Sequence, residues 1–337
     1  MRFADIIGHE ALKDNLKRSI LKKTPAQAYI FEGEKLSGKK MLASTFAQAL
    51  LCEKGGEEPC GECHACRMAE ASSHPDIIHV TRGGEKNYRI EYIRKQLAGD
   101  VVIRPYYGPF KIYIVEDAEN LNFQCQNALL KTLEDPPEYV VILLLATTVS
   151  GFLPTVRSRC IHFGMMPVRD DVIMERLMTR CKVPMYEART ACSFAQGNFG
   201  KALSLATSQA FVEMRRNVVQ LLSRLEEQPL DELLSDAQTL AGDYRSDLAQ
   251  LFDFFVIWYR DVIVYKALGD KNMLVNQDEG YAISRMARRL SYRELKEIFA
   301  DIRHARELIT GNVKPGNVME GLLLAIRQCK SDINYGL

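Results

Sequence analysis

The thirteen residues at 28–40, AYIFEGEKLSGKK, decide the fold of the chain's first half. An apolar run that stops at Gly33 reads as a buried strand. The glycine-flanked turn that follows and the helix opening at Lys40 match the phosphate-loop template G-x-x-x-x-G-K-[ST] at all but its last position. In such a loop, backbone amides and a helix N-terminus cradle negative charge. Gly33 and Gly38 form the frame, and Lys39 stands where an ammonium reaches the β- and γ-phosphates. Lys40 stands where a hydroxyl should hold Mg²⁺. An ammonium cannot ligate a cation and repels it. The loop could therefore bind an anion while losing metal-assisted hydrolysis, and whether it binds ATP stays open.

Working outward, strand and helix signals alternate. A helix is expected over His9–Lys22, with Leu12, Leu16 and Ile20 at helical spacing. Strands are expected at Ile77–Val80, Lys111–Val115 and Ile161–Phe163, and a short helix at about Glu91–Leu97. The helix in FQCQNALLKTLEDPP should end at Pro136 and Pro137. The run VVILLLAT reads as a strand buried on both faces of a parallel sheet. Residues 1–165 thus form an α/β domain with a parallel sheet. After Pro167 the pattern is helical: a compact segment to about 210, then long amphipathic helices over 211–337. One of these opens at Ser291 with a capping box to Glu294. Its stripe of Leu295, Ile298, Phe299 and Ile302 reads as core.

Four of nine cysteines are clustered. Cys52, Cys60, Cys63 and Cys66 are spaced C-x7-C-x2-C-x2-C among Gly55, Gly56, Pro59 and Gly61. Four thiolates at such spacing close a tetrahedral structural zinc site with no open coordination position. His64, inside the knuckle, is then surplus and expected at the surface. The scattered Cys125, Cys160, Cys181, Cys192 and Cys329 read as small buried hydrophobes.

The chain has 337 residues, 47% hydrophobic and 26% charged, which excludes a disordered or fibrous protein. Its net charge of +1 argues neither for nor against nucleic acid. The first residues, MRFADIIGHE, lack an apolar signal core. The longest apolar stretch, Val140–Ala146, is far below the ~20 residues of a membrane helix, so a cytoplasmic protein without membrane contact is expected.

A second carboxylate motif should end a later strand. There IYIVEDAENL carries Glu116 and Asp117 in the order Glu-Asp, whereas ATPases of this type carry Asp-Glu. A solvated strand end and a relic of a magnesium site are both open readings of this pair.

The blocks FADIIGHE, AYIFEG…GKK, the four-cysteine knuckle, QNALLKTLEDPP, LLLATT and SRC stand in one order. This resembles the bacterial clamp-loader family, the AAA+ subunits of the DNA polymerase III holoenzyme. The likeness is strong over the first 210 residues and weaker beyond, through TGNVKPGNVMEGLLLAIR. It implies an AAA+ domain at 1–165, a helical lid at 166–210 and a helical collar at 211–337. It also implies a pentamer with motor (gamma or tau) and delta subunits, which opens a sliding clamp and closes it on primer-template DNA.

Three departures point to a stator rather than a motor: Lys40, the inverted pair, and Gly200 where motors carry the arginine of Gly-x-x-Arg. Thr147 and Thr148 lie where a motor senses γ-phosphate; here they read as scaffold, buried and satisfied by backbone. Ser158, Arg159 and Cys160 keep the family's SRC element, whose arginine enters a neighbour's ATP site. Such fingers are worth ~10³–10⁵ in rate. The alternatives are an active ATPase, supported by Lys39, and a zinc-dependent DNA-binding module. The acidic Glu53, Glu57, Glu58 and Glu62 count against the second.

Overall fold

The computed structural model describes residues 2–85, 87–311 and 313–328, so Cys329 lies outside the described residues. The chain divides into two compact units. The first runs to Ile173 and includes Gly197–Lys201; the second holds Met174–Gln196 and the chain from Ala202 on.

In the first unit the order is α1 (Glu10–Lys22), β1 (Ala28–Glu32), α2 (Lys39–Leu50), α3 (His64–Glu70), β2 (Ile77–Val80), α4 (Ile90–Ile93), β3 (Lys111–Val115), α5 (Phe123–Glu134), β4 (Val140–Ala146), α6 (Pro154–Arg157) and β5 (Ile161–Gly164). The strands form one parallel sheet in the order β2-β3-β4-β1-β5. All seven residues of β4 are buried, as its unbroken apolar run requires. Side chains alternate between two cores. Ala28 and Ile30, with Val140, Ile142 and Leu144, pack on the α4–α5 side against Ile93 and Leu129. Tyr29 and Phe31, with Val141, Leu143 and Leu145, face Leu16 of α1 and Phe46 of α2. Period-two alternation in the centre of a sheet covered on both faces makes three layers.

Local signals act as expected. Asn122 caps α5 by accepting the Cys125 amide at 2.9 Å, and Pro136 and Pro137 follow its end. One helix departs from expectation: after α4 the chain makes a π turn over Arg94–Ala98, closed by the Gly99 amide on the Arg94 carbonyl at 2.7 Å. Beyond it, the buried carboxylate of Asp76 accepts the amides of Tyr106 (2.6 Å), Tyr107 (2.8 Å) and Gly108 (3.2 Å). The two tyrosine side chains stay exposed, at 69% and 68%.

Helix α7 (Asp170–Cys181) crosses the boundary between the units. Helices α8 (Met185–Ala195), α9 (Phe199–Ala206), α10 (Gln209–Arg224), α11 (Leu230–Asp243), α12 (Leu248–Leu268), α13 (Gly280–Arg289), α14 (Tyr292–Thr310) and α15 (Pro315–Gln328) follow. The second unit centres on Phe252, Phe255, Trp258 and Tyr259 of α12, all at 1% exposure or less. Both bonds of the Ser291–Glu294 capping box form, and Leu295, Ile298 and Ile302 are buried with Phe299 packed against them. Cys125 and Cys192 are buried as expected, but Cys160 and Cys181 are only half-buried. Among the described residues no helix is long and apolar enough to cross a membrane.

Candidate functional site

The phosphate-loop segment sits where the sequence places it, between the C-terminal end of β1 and the first turn of α2. The Gly33 amide continues the sheet ladder onto the Ala146 carbonyl at 3.0 Å. A Cβ at Gly33 would stand 2.7 Å from that of Met165, so the turn closes only with glycine. Gly38 caps α2 at φ +93°. Leu36, which the sequence reading passed over, also takes a left-handed backbone, at φ +64°. That conformation costs a side-chain-bearing residue roughly 1–2 kcal/mol. The Leu36 side chain is 59% exposed, so burial offsets little of it. Gly200 presses on the same residue: a Cβ there would fall 2.3 Å from the Leu36 carbonyl oxygen. Asn198 donates to the Lys35 carbonyl at 2.8 Å. Residues 198–200 therefore close on the loop through the Asn198 side chain and the Gly200 backbone, leaving no room for a side chain at 200 without a shift.

The loop opens on a cavity of about 620 Å³ shared with Glu116, Asp117 and Thr147. Several of its charged groups find partners within the chain. Lys39 curls back, its ammonium donating to the carbonyls of Gly33 (2.5 Å) and Glu34 (2.6 Å), and burial lowers its pKa. Lys40 pairs with Glu116 at 2.8 Å. His79 meets the same carboxylate at 3.3 Å, and Arg82 pairs with Asp117 at 2.5 Å. The hydrogen bond from His79 and then Lys40 hold the Glu116 carboxyl below its ordinary pKa. Each carboxylate of the acidic pair thus carries a protein cation while keeping some contact with solvent, 24% of the Glu116 side chain and 43% of that of Asp117. A magnesium nucleotide does not fit this set, because an ammonium stands where the metal's hydroxyl ligand belongs.

His79 and Arg82 were missed in the sequence. Parallel pairing of β2 with β3 in the register His79↔Ile114 and Val80↔Val115 brings the ends of the two strands together, His79 within reach of Glu116 and Arg82, just past β2, within reach of Asp117. That register was the signal available. The expectation for the threonines needs correction. The half-buried Thr147 donates its hydroxyl to the Glu119 carboxylate at 2.8 Å, not to backbone. Thr148 is exposed and meets the Ser150 hydroxyl at 3.0 Å.

At the far end of α2 the four cysteines converge. The sulfurs of Cys52, Cys60, Cys63 and Cys66 all lie within 4.8 Å of one another. A tetrahedron with ~2.3 Å metal–sulfur arms has edges of about 3.8 Å, and Cys60 Sγ lies 3.9 Å from Cys66 Sγ. The amides of Cys63 and Glu62 donate to Cys60 Sγ at 3.3 and 3.4 Å, and that of Cys66 to Cys63 Sγ at 3.4 Å. The first two of these amides bring the Cys60 thiol down to about 6, while burial pushes Cys66 up. Gly55, Gly56 and Gly61 turn the knuckle at φ +65°, +116° and +73°. The donor set fits a metal ion such as zinc. His64 is exposed and outside the set. Glu58 ties the module to the N-terminal segment by accepting the Phe3 amide at 2.7 Å and pairing with Lys17 at 2.8 Å.

Arg159 lies away from both, between α6 and β5. Its side chain keeps 35% of its surface exposed; it pairs with Glu134 at 3.0 Å and donates to the Thr155 carbonyl at 2.9 Å. The Ser158 hydroxyl donates to the same carbonyl at 3.1 Å. Cys160 packs against the core, and burial lifts its thiol to about 12.

A three-layer parallel α/β unit with a phosphate-type loop at the C-terminal end of β1 defines the P-loop class of nucleotide-binding folds. Residues 8–169 match the family model described as DNA polymerase III, delta subunit, and residues 209–327 its C-terminal counterpart. The delta′ subunit of Bacillus subtilis is 26% identical over 93% of this chain and 94% of its own length. That of Pseudomonas aeruginosa is 30% identical over 79% and 78%. The tau subunit of Bacillus subtilis is 30% identical over 79% of this chain, which spans only half the length of that relative. A gamma-subunit-related protein from Thermotoga maritima aligns with 94% of the chain at 19% identity and a TM-score of 0.41. The chain belongs to the clamp-loader subunit family of DNA polymerase III.

Proposed function

We propose that this chain is a delta′-type, non-hydrolysing stator of a bacterial clamp loader, which supplies Arg159 to the ATP site of a neighbouring subunit. One observation carries the reading: the phosphate loop and Arg159 lie at opposite ends of the same sheet. Strands β1 and β5 run parallel in the register Tyr29↔Ile161 to Glu32↔Gly164. The loop follows the C-terminal end of β1; Arg159 precedes the N-terminal end of β5. At about 3.3 Å per residue, the strand length alone puts more than 10 Å between the two ends. An arginine at that end cannot serve its own pocket, and a guanidinium at the surface can serve another chain's. There it would stabilise charge spreading over a transferring phosphoryl group.

The internally paired pocket supports the absence of hydrolysis, and the engaged Lys40 counts against the active-ATPase alternative. The DNA-grip alternative is opposed by the cysteine module, whose carboxylates hold its own fold: Glu53 accepts the Ala65 amide, and Glu58 binds Phe3 and Lys17. In this reading zinc in the four-cysteine module is structural. Residues 166–210 act as lid and 211–337 as collar. The partners are gamma or tau and delta, with the sliding clamp and primer-template DNA met through the assembled complex in the cytoplasm.

The test is ATP turnover in the reconstituted loader. Arg159→Ala should slow it at least a hundredfold with assembly intact by size-exclusion chromatography, below the full ~10³–10⁵ of such fingers. The isolated chain should release no phosphate with Mg²⁺. Unchanged turnover in the assembled variant would sink the finger, and magnesium-dependent turnover by the chain alone would make it a motor.

A further inference from the structure

We propose that Glu134 is a positioning residue for Arg159, holding the guanidinium in place for use across the subunit boundary; this rests on the trans-acting arginine proposed above. Glu134 is the last residue of α5, and Asp135 follows as its cap. Carboxylates at a helix C-terminus face the negative end of the helix dipole, an unfavourable arrangement. A residue that breaks a local rule without a local gain is where a non-local role is to be sought. Here the gain is the Arg159 guanidinium at 3.0 Å.

The geometry is that of a two-point brace. One terminal nitrogen, Nη2, meets Glu134; the other, Nη1, donates to the Thr155 carbonyl at 2.9 Å. The brace comes from two elements, the end of α5 and the short α6. The backbone around Arg159 is fixed on both sides. Its amide bonds the Val156 carbonyl at 3.2 Å, and the next residue, Cys160, packs against the core. A guanidinium carries five N–H donors, so two contacts leave others for a phosphoryl oxygen. An unbraced arginine samples many rotamers, and aligning it on contact costs entropy that a brace removes beforehand. Exposed pairs of this kind are individually weak. The expected effect is accordingly modest.

The experiment is a double-mutant cycle in the reconstituted loader, with ATP turnover as readout and assembly checked by size exclusion. Glu134→Gln keeps the shape of the side chain and removes its charge. It should lower kcat about threefold to fivefold with KM for ATP unchanged, and Glu134→Asp should restore part of the loss. In an Arg159→Ala background, Glu134→Gln should change nothing further. Full turnover in Glu134→Gln while Arg159→Ala is slow would overturn the positioning role and leave the finger standing. An equal loss from Glu134→Gln in the Arg159→Ala background would also overturn it, since Glu134 would then act through another group. Unchanged turnover in Arg159→Ala would remove the underlying reading instead.

Discussion

Helix α2 joins two sites built on opposite principles. At its first turn, Lys39 and Lys40 enter a cavity where they meet carbonyls and carboxylates of the protein itself. Just past its last turn, Cys52 joins three sulfurs whose spacing is set by backbone amides rather than by opposing side-chain charge. In the first site the chain supplies both the cation and the anions, so the ligand set satisfies itself. In the second it supplies donors alone, four sulfurs arranged as a metal ion such as zinc would need them. A loop, a helix start and an acidic pair can thus be held together by the chain's own charges.

Removing the metal should give the largest effect. Structural zinc contributes roughly 10 kcal/mol to folding in small zinc-finger peptides. Cys60→Ser with Cys63→Ser should release the ion, measured by metal analysis, and lower the melting temperature of the first unit by well over ~10 °C. A metal-free wild-type protein would erase the contrast between the two ends.

Gly200→Arg is the next largest. It returns the family's motor residue to a place where a Cβ would overlap the Leu36 carbonyl. It should cost about 1–3 kcal/mol by overpacking, read in urea unfolding, with no gain in ATP binding by calorimetry. A stable variant that binds ATP would mean that residues 198–200 yield easily, and the self-filled description would fail.

The smallest effect concerns pH. Because the Glu116 carboxyl sits below its ordinary value when folded, its stabilisation is fully present above the ordinary carboxylate range, near ~4.3. It is lost as pH falls through the lowered folded value. Glu116→Gln should flatten that acid-side part of the stability curve and leave the metal content of the four-cysteine module unchanged. An identical acid profile would show that the His79–Glu116–Lys40 contacts do not hold in solution.

Much of this was legible in the sequence because its signals are local. The all-apolar β4, the Ser291 cap, the prolines after α5 and the four-cysteine spacing each act within a few residues. Lys40 declared its conflict with magnesium by its chemistry alone. The partners of the acidic pair were not legible in that way. Arg82 is 35 residues from Asp117, and His79 is 37 from Glu116. Only the strand register brings them together. Leu36 hid for another reason: leucine carries no turn signal, and its left-handed backbone is imposed by the loop around it. Glu134 lay in plain view, but its partner depends on where the end of α5 meets the turn before β5.

The Asp76 carboxylate has a consequence of its own. Residues 106–108 belong to no helix or strand, yet three consecutive amides share one buried acceptor. On the timescale of hydrogen exchange this stretch should count as interior, since opening it strips three donors from a single oxygen pair at once. The rings of Tyr106 and Tyr107 nevertheless stand in water. The backbone that carries this aromatic pair is thus ordered when the chain folds, while the rings keep their own rotation.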